Sequence, residues 1–225
     1  MNVTSTGLLR AAGVAAAVAG SIFVAVQVNH PAEAAFDTDT TEWVVRCCAK
    51  AVMAALALAG IAGMYLRQHR RAGVLGLVGY VLFSLGYLTL FSVEVIAAAV
   101  LPTLLDTDHG YVMEVVTAAG GGTAAGDIGG MQVVLNLAGA GYMLGGLVFG
   151  VALFRTAILP RWASALLAVS TVGTAALAFL PHAFNRPFAV PEGIALIALG
   201  IALWRNPADS PAGEPAGAVL EPAVR

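Results

Sequence analysis

Six long apolar stretches, separated by short charged links, restrict this chain more than any other feature in it: residues 8–28, 44–66, 72–100, 131–154, 162–180 and 188–204. Crossing the hydrocarbon of a bilayer takes about 20 mainly apolar residues at roughly 1.5 Å of rise each, and the stretches approach or exceed that length. They are dense in Ala, Gly, Leu and Val without strict polar/apolar alternation, the pattern of helices rather than of a barrel of strands. Apolar residues make up 59 % of the chain and charged residues 11 %, and mean hydropathy is +0.86, so lipid is the solvent most of the surface meets. The expected fold is all-α, a polytopic transmembrane bundle of six helices over residues 1–205. Beyond it, the run of prolines at 207, 211, 215 and 222 predicts a disordered cytoplasmic tail over residues 206–225.

Charge sets the expected orientation. With the amino terminus inside, Arg10, Arg67, Arg70, Arg71, Arg155, Arg161, Arg205 and Arg225 fall on the cytoplasmic side, leaving Arg46, Lys50 and Arg186 outside. That bias follows the positive-inside rule and puts both termini in the cytoplasm of a multi-pass inner (plasma) membrane protein. Arg10, the first apolar run and the small residues at 32–35 also resemble a secretory signal, but the run exceeds the usual 7 to 15 residues of such a segment. The net charge of −2, with no block of one sign, excludes nucleic acid as a partner. The neighbouring Cys47 and Cys48 exclude a disulfide framework.

The links at 67–71 and 155–161 are short enough to force antiparallel neighbours. A longer segment at 101–130 has room for a surface helix at 111–119 before the flexible run from Gly120 to Gly126. The fourth stretch carries Gly141, Gly145, Gly146 and Gly150, small-xxx-small spacing that in lipid lets another helix approach closely. The partner of that stripe is either a helix of the same chain or a second copy in a homo-oligomer.

Polar side chains inside the stretches gather toward one level. Measured at roughly 1.5 Å per residue from the inner ends of their helices, Glu94, Arg46, Gln132 and His182 share a depth, with Asn29 and His30 alongside, Lys50 and Asn136 a turn lower, and Glu192 leading into the last stretch. Glu94 stands as the acid embedded in a span, and such a group needs a partner; depth matching selects Arg46. Glu94, Arg46, Gln132, Asn136, Asn29, His30 and His182 thus form the candidate site, an outward-facing polar layer for a small molecule or ion, or else a set of polar groups at the headgroup boundary. His30, His182 and Glu94 are also residue types that hold zinc and activate a bound water, although no local ligand pair such as HExxH exists. The sequence identifies no cofactor.

The Arg10 entry to an Ala/Gly-rich first helix, the exit at 27–31, the turn at 67–71 and the Pro-rich end give a layout that resembles small uncharacterised six-helix integral membrane proteins of high-GC bacteria. The resemblance implies a bacterial inner membrane and no particular activity. Three functions are therefore expected in order: binding or transport of a small molecule or ion, a metal-assisted membrane enzyme, and a structural or sensory subunit.

Overall fold

The computed structural model describes residues 4–175 and 189–207, and within them every regular element is helical. In chain order these are α1 (Ser5–Ala25), a 3-10 turn (Glu33–Ala35), α2 (Thr40–Ala99), α3 (Leu101–Leu104), α4 (His109–Ala119), α5 (Gly130–Thr156), α6 (Arg161–Gly173) and α7 (Ala189–Arg205). Three of them, α1, α2 and α5, are long and apolar enough to cross a membrane.

Taken as one rod, the 60 residues of α2 would reach roughly 90 Å, about three times the hydrocarbon thickness of a bilayer. The rod is broken at Gly73, whose φ of 57° and ψ of −153° lie where a side chain is not tolerated. Residues 40–72 and 74–99 are therefore two arms of a hairpin. Tyr65 and Tyr80 stack across it with ring centroids 4.6 Å apart, and Lys50 meets Glu94 near its open end. The expected turn at 67–71 is instead helical, and the chain reverses at the next glycine. Arg, Gln and His are acceptable helix formers, whereas only glycine takes that backbone conformation without strain. This shift of the apex resets the register between the arms, with consequences for the site.

Small residues bring the helices together. Gly13 and Gly20 of α1 lie against the backbone of α7 at Gly200 and Gly193, and Gly60 and Gly63 of α2 lie against Ala16 and Ala12 of α1. On α5 the predicted stripe divides between two neighbours of the same chain. Gly141 and Gly145 face Gly86 and Phe83 of the second α2 arm, and Gly146 and Gly150 face Thr171 and Ala168 of α6. Dispersion and close backbone approach drive association where lipid supplies no hydrophobic gradient. Between the helices lies a core that includes Ala16, Ile61, Phe83, Tyr87, Phe149, Leu167, Leu196 and Leu203.

The two ends of the bundle differ in charge. Gln68 of α2 bonds Thr156 of α5, Arg67 donates to the Asn206 carbonyl at 3.0 Å, and Gly13 sits beside Trp204. These contacts bring Arg10, Arg67, Arg70, Arg71, Arg155, Arg161 and Arg205 to one end, the arginine end. At the opposite, acidic end, the 3-10 turn, α3 and α4 form a packed cap in which Phe36, Trp43, Leu101, Val112, Val115 and Val116 are buried together. Asp108 caps α4 by accepting from the Tyr111 amide at 3.1 Å, and His109 donates to Asp37 at 3.1 Å. The segment expected to hold a surface helix at 111–119 is thus anchored by an apolar face.

Candidate functional site

At the acidic end α1 stops at Ala25 and the chain turns through Asn29, which has a positive φ of 50°, a conformation asparagine tolerates better than most residues. The last carbonyls of a helix have no intrahelical donors. Arg46 supplies them: Nη1 donates to the Val26 and Val28 carbonyls at 2.9 and 3.1 Å, and Nη2 donates to the Asn29 carbonyl at 3.0 Å. The same guanidinium holds Glu42 at 2.6 Å. Arg46 is therefore a clamp between α1 and α2, and Asn29 enters through its backbone.

The expected Glu94–Arg46 pairing is not formed; Glu94 pairs with Lys50, Nζ to Oε1 at 3.8 Å. The reason is the hairpin apex. With the reversal at Gly73, Lys50 and Glu94 are nearly equidistant from it along the two arms, while Arg46 lies about a turn farther out. Glu94 is 9 % exposed, and Cys47 is close enough to interact with it directly. The ammonium of Lys50 also lies 5.8 Å from the centroid of Trp43, and His30 meets the same indole edge-on at 4.8 Å. His30 directs Nδ1 to the Pro31 carbonyl at 2.8 Å. Glu94, Lys50, Cys47, Trp43 and His30 thus make one connected cluster between the arms and beneath the cap.

Gln132 and Asn136 do not join it. They bond each other, Nε2 to Oδ1 at 3.0 Å, on an exposed face of α5. Counting residues along a helix says nothing about which way the helix turns its polar stripe. Gln132 instead edges a shallow depression of about 380 Å³ with Thr123 and Asp127. His182 lies outside the described residues. Among the described residues no three His, Cys, Asp or Glu side chains gather as metal ligands.

A second polar pair sits deeper, and sequence reasoning passed over it. Glu192 of α7 is 1 % exposed, and its Oε1 accepts a hydrogen bond at 2.8 Å from the hydroxyl of Tyr87, itself wholly buried in the second α2 arm. Its Oε2 has no hydrogen-bond partner among the described residues. Glu94 is thus not alone as an acid within an apolar stretch. The signal was available: Glu192 lies inside the stretch 188–204, followed by an uncharged run to Trp204. Position near the start of that stretch made it look like a boundary residue, and only the packing of α7 against α1 carries it into the interior.

Chemically, the end cluster offers an ammonium, a carboxylate, a thiol and two aromatic faces, a set suited to a small polar or charged solute. The Tyr87–Glu192 pair offers a carboxyl and a phenol shielded from water. Comparison with protein-family models, with curated proteins and with solved structures gave no match.

Proposed function

We propose that this chain is a multi-pass protein of the bacterial inner membrane that binds a small molecule or ion at the outer end of its bundle, with six spans and both termini in the cytoplasm. The observation that carries the binding site is the Lys50–Glu94 ion pair, 3.8 Å apart, between the arms of the α2 hairpin and under the packed cap. Intramembrane ionisable residues are rare because they are costly, and those present mark ligand or ion sites by default. The Arg46 clamp and the Gln132–Asn136 pair are assigned to structure and surface.

Topology rests on the gathering of arginines at one end, the cytoplasmic end under the positive-inside rule. The two arms of α2 supply two crossings, α1 and α5 one each, and α6 and α7 the remaining two.

Thermal unfolding of the purified protein against a panel of amino acids, polyamines and simple salts tests the site, because a ligand that binds only the folded state raises the midpoint by mass action. At least one compound is expected to raise it in the parent and not in Glu94→Gln. A panel that leaves both unmoved, or moves both equally, sinks the assignment.

A further inference from the structure

We propose that Glu192, with Tyr87, is a proton-exchange site in the interior of the bundle, opening toward the acidic end. The proposal is independent of which solute, if any, the Lys50–Glu94 cluster binds. It begins from an incomplete pairing. A purely structural polar pair in a helical bundle saturates its hydrogen bonds, because an unmatched polar atom away from water is costly. Tyr87 satisfies one carboxyl oxygen of Glu192, and the other has no partner among the described residues although the side chain is 1 % exposed.

The surroundings decide what such a group can take. Three elements pack against α7: α1, α2 and α6. At this level α1 presents Gly20 and Val24 against Gly193, and its one charged residue, Arg10, lies at the arginine end. α6 carries Arg161 at its arginine-end start, and its buried Ser170 and Thr171 hydroxyls are spent on carbonyls of their own helix. α2 contributes Tyr87 itself and, about two turns or roughly 10 Å outward on the same face, Glu94 with Lys50 and Cys47. Among the described residues no cation faces Glu192, so its charge is neutralised by what binds to it. The smallest such ligand is a proton.

Among the described residues, access is one-sided. Toward the acidic end the polar groups continue, through the buried Gln27 Oε1 a turn beyond Val24 and then Glu94. Toward the arginine end the same core holds Leu196, Leu199, Leu203, Phe83 and Phe149, which offer a proton no foothold. Uptake forms one O–H bond on the carboxylate with a proton drawn from water at the acidic end; release returns it, with no other bond made or broken.

Infrared difference spectroscopy of the full chain in lipid nanodiscs, titrated in pH, tests this. The expected result is a protonated-carboxyl C=O band that fades as pH rises, is absent in Glu192→Gln, shifts in Tyr87→Phe and persists in Glu94→Gln. A band that never changes with pH, or none assignable to Glu192, overturns the proposal, whereas loss of solute binding in Glu94→Gln with the Glu192 band intact bears on the outer cluster alone. Should Glu192→Gln fail to fold, labelling of the parent protein with dicyclohexylcarbodiimide, mapped by mass spectrometry, replaces it. A Glu192 adduct whose rate falls with rising pH supports the proposal, and a pH-independent rate or no adduct refutes it. Slowing by sodium or potassium chloride at fixed pH would reassign the group to a metal cation and also overturns it.

Discussion

Removing the Tyr87 hydroxyl isolates the interior pair energetically. In Tyr87→Phe the aromatic ring keeps its place against Phe83, edge-on at 5.0 Å, and near Tyr142 at 6.1 Å, so packing changes little. What is lost is the Tyr87 donor to Glu192, whose second oxygen has no hydrogen-bond partner among the described residues. Leaving a buried polar group unsatisfied costs about 1–3 kcal/mol in water-soluble proteins, while interhelical hydrogen bonds in membrane proteins average about 0.6 and reach about 1.7 kcal/mol. A carboxyl with both oxygens stranded falls at the upper part of that second range, so a loss of about 1–2 kcal/mol is expected. Replacing both partners by apolar groups of similar shape is close to neutral; the double variant Tyr87→Phe with Glu192→Leu should therefore recover most of the loss. Reversible unfolding in mixed micelles of rising SDS fraction, followed by far-ultraviolet circular dichroism, gives the four stabilities of the cycle. A coupling energy no larger than the roughly 0.3–0.5 kcal/mol expected of independent sites would show that hydroxyl and carboxyl do not interact, and would remove the basis for an interior site.

Three further outcomes follow from the same structure. Gly73→Ala has open space around it but is forced into φ 57°, so it should destabilise by about 1–3 kcal/mol in the same assay; an unchanged midpoint would mean that the hairpin does not turn there. Gly145→Ala drives a methyl group into the backbone of Phe83, whereas Gly139 has nothing within 4 Å; the first should cost about 1–3 kcal/mol and Gly139→Ala nothing, and equal effects would refute the α2–α5 contact. In the cap, the hydrogen bond from His109 holds the Asp37 carboxyl below its ordinary range. A depressed folded-state pKa means that the contribution to stability is present above the ordinary carboxylate pKa and is lost as pH falls through the depressed one. The pair is exposed and its effect small, so the readout is the Asp37 titration by NMR: His109→Ala should move it upward, and an unmoved curve would show that the two side chains do not meet.

Much of the architecture was legible in the linear pattern. Apolar stretches long enough to span lipid must become helices, because a backbone in hydrocarbon has to satisfy its own hydrogen bonds; α1, α2, α5 and α7 lie within a few residues of their predicted positions. The clustering of arginines at one end was readable for the same reason: charge partitions along the chain before any helix meets another. Depth along a helix could also be counted, which is why Glu94 was singled out.

Azimuth and register could not be counted. Moving the hairpin apex from 67–71 to Gly73 exchanged Arg46 for Lys50 as the partner of Glu94, since two antiparallel arms move past each other by twice the displacement of their turn. The free carbonyls at the end of α1 then claimed Arg46, a demand that exists only when α1 is placed beside α2. Gln132 and Asn136 bond each other on an exposed face of α5, away from the cluster. Glu192 was legible as an acid among apolar neighbours and became an interior carboxyl only because Gly20 and Gly193 let α1 and α7 close around it. Composition and periodicity determine that this chain is a set of apolar helices and where along each the polar groups lie; which of those groups meet is decided by close packing, which acts between segments far apart in sequence and leaves no local trace.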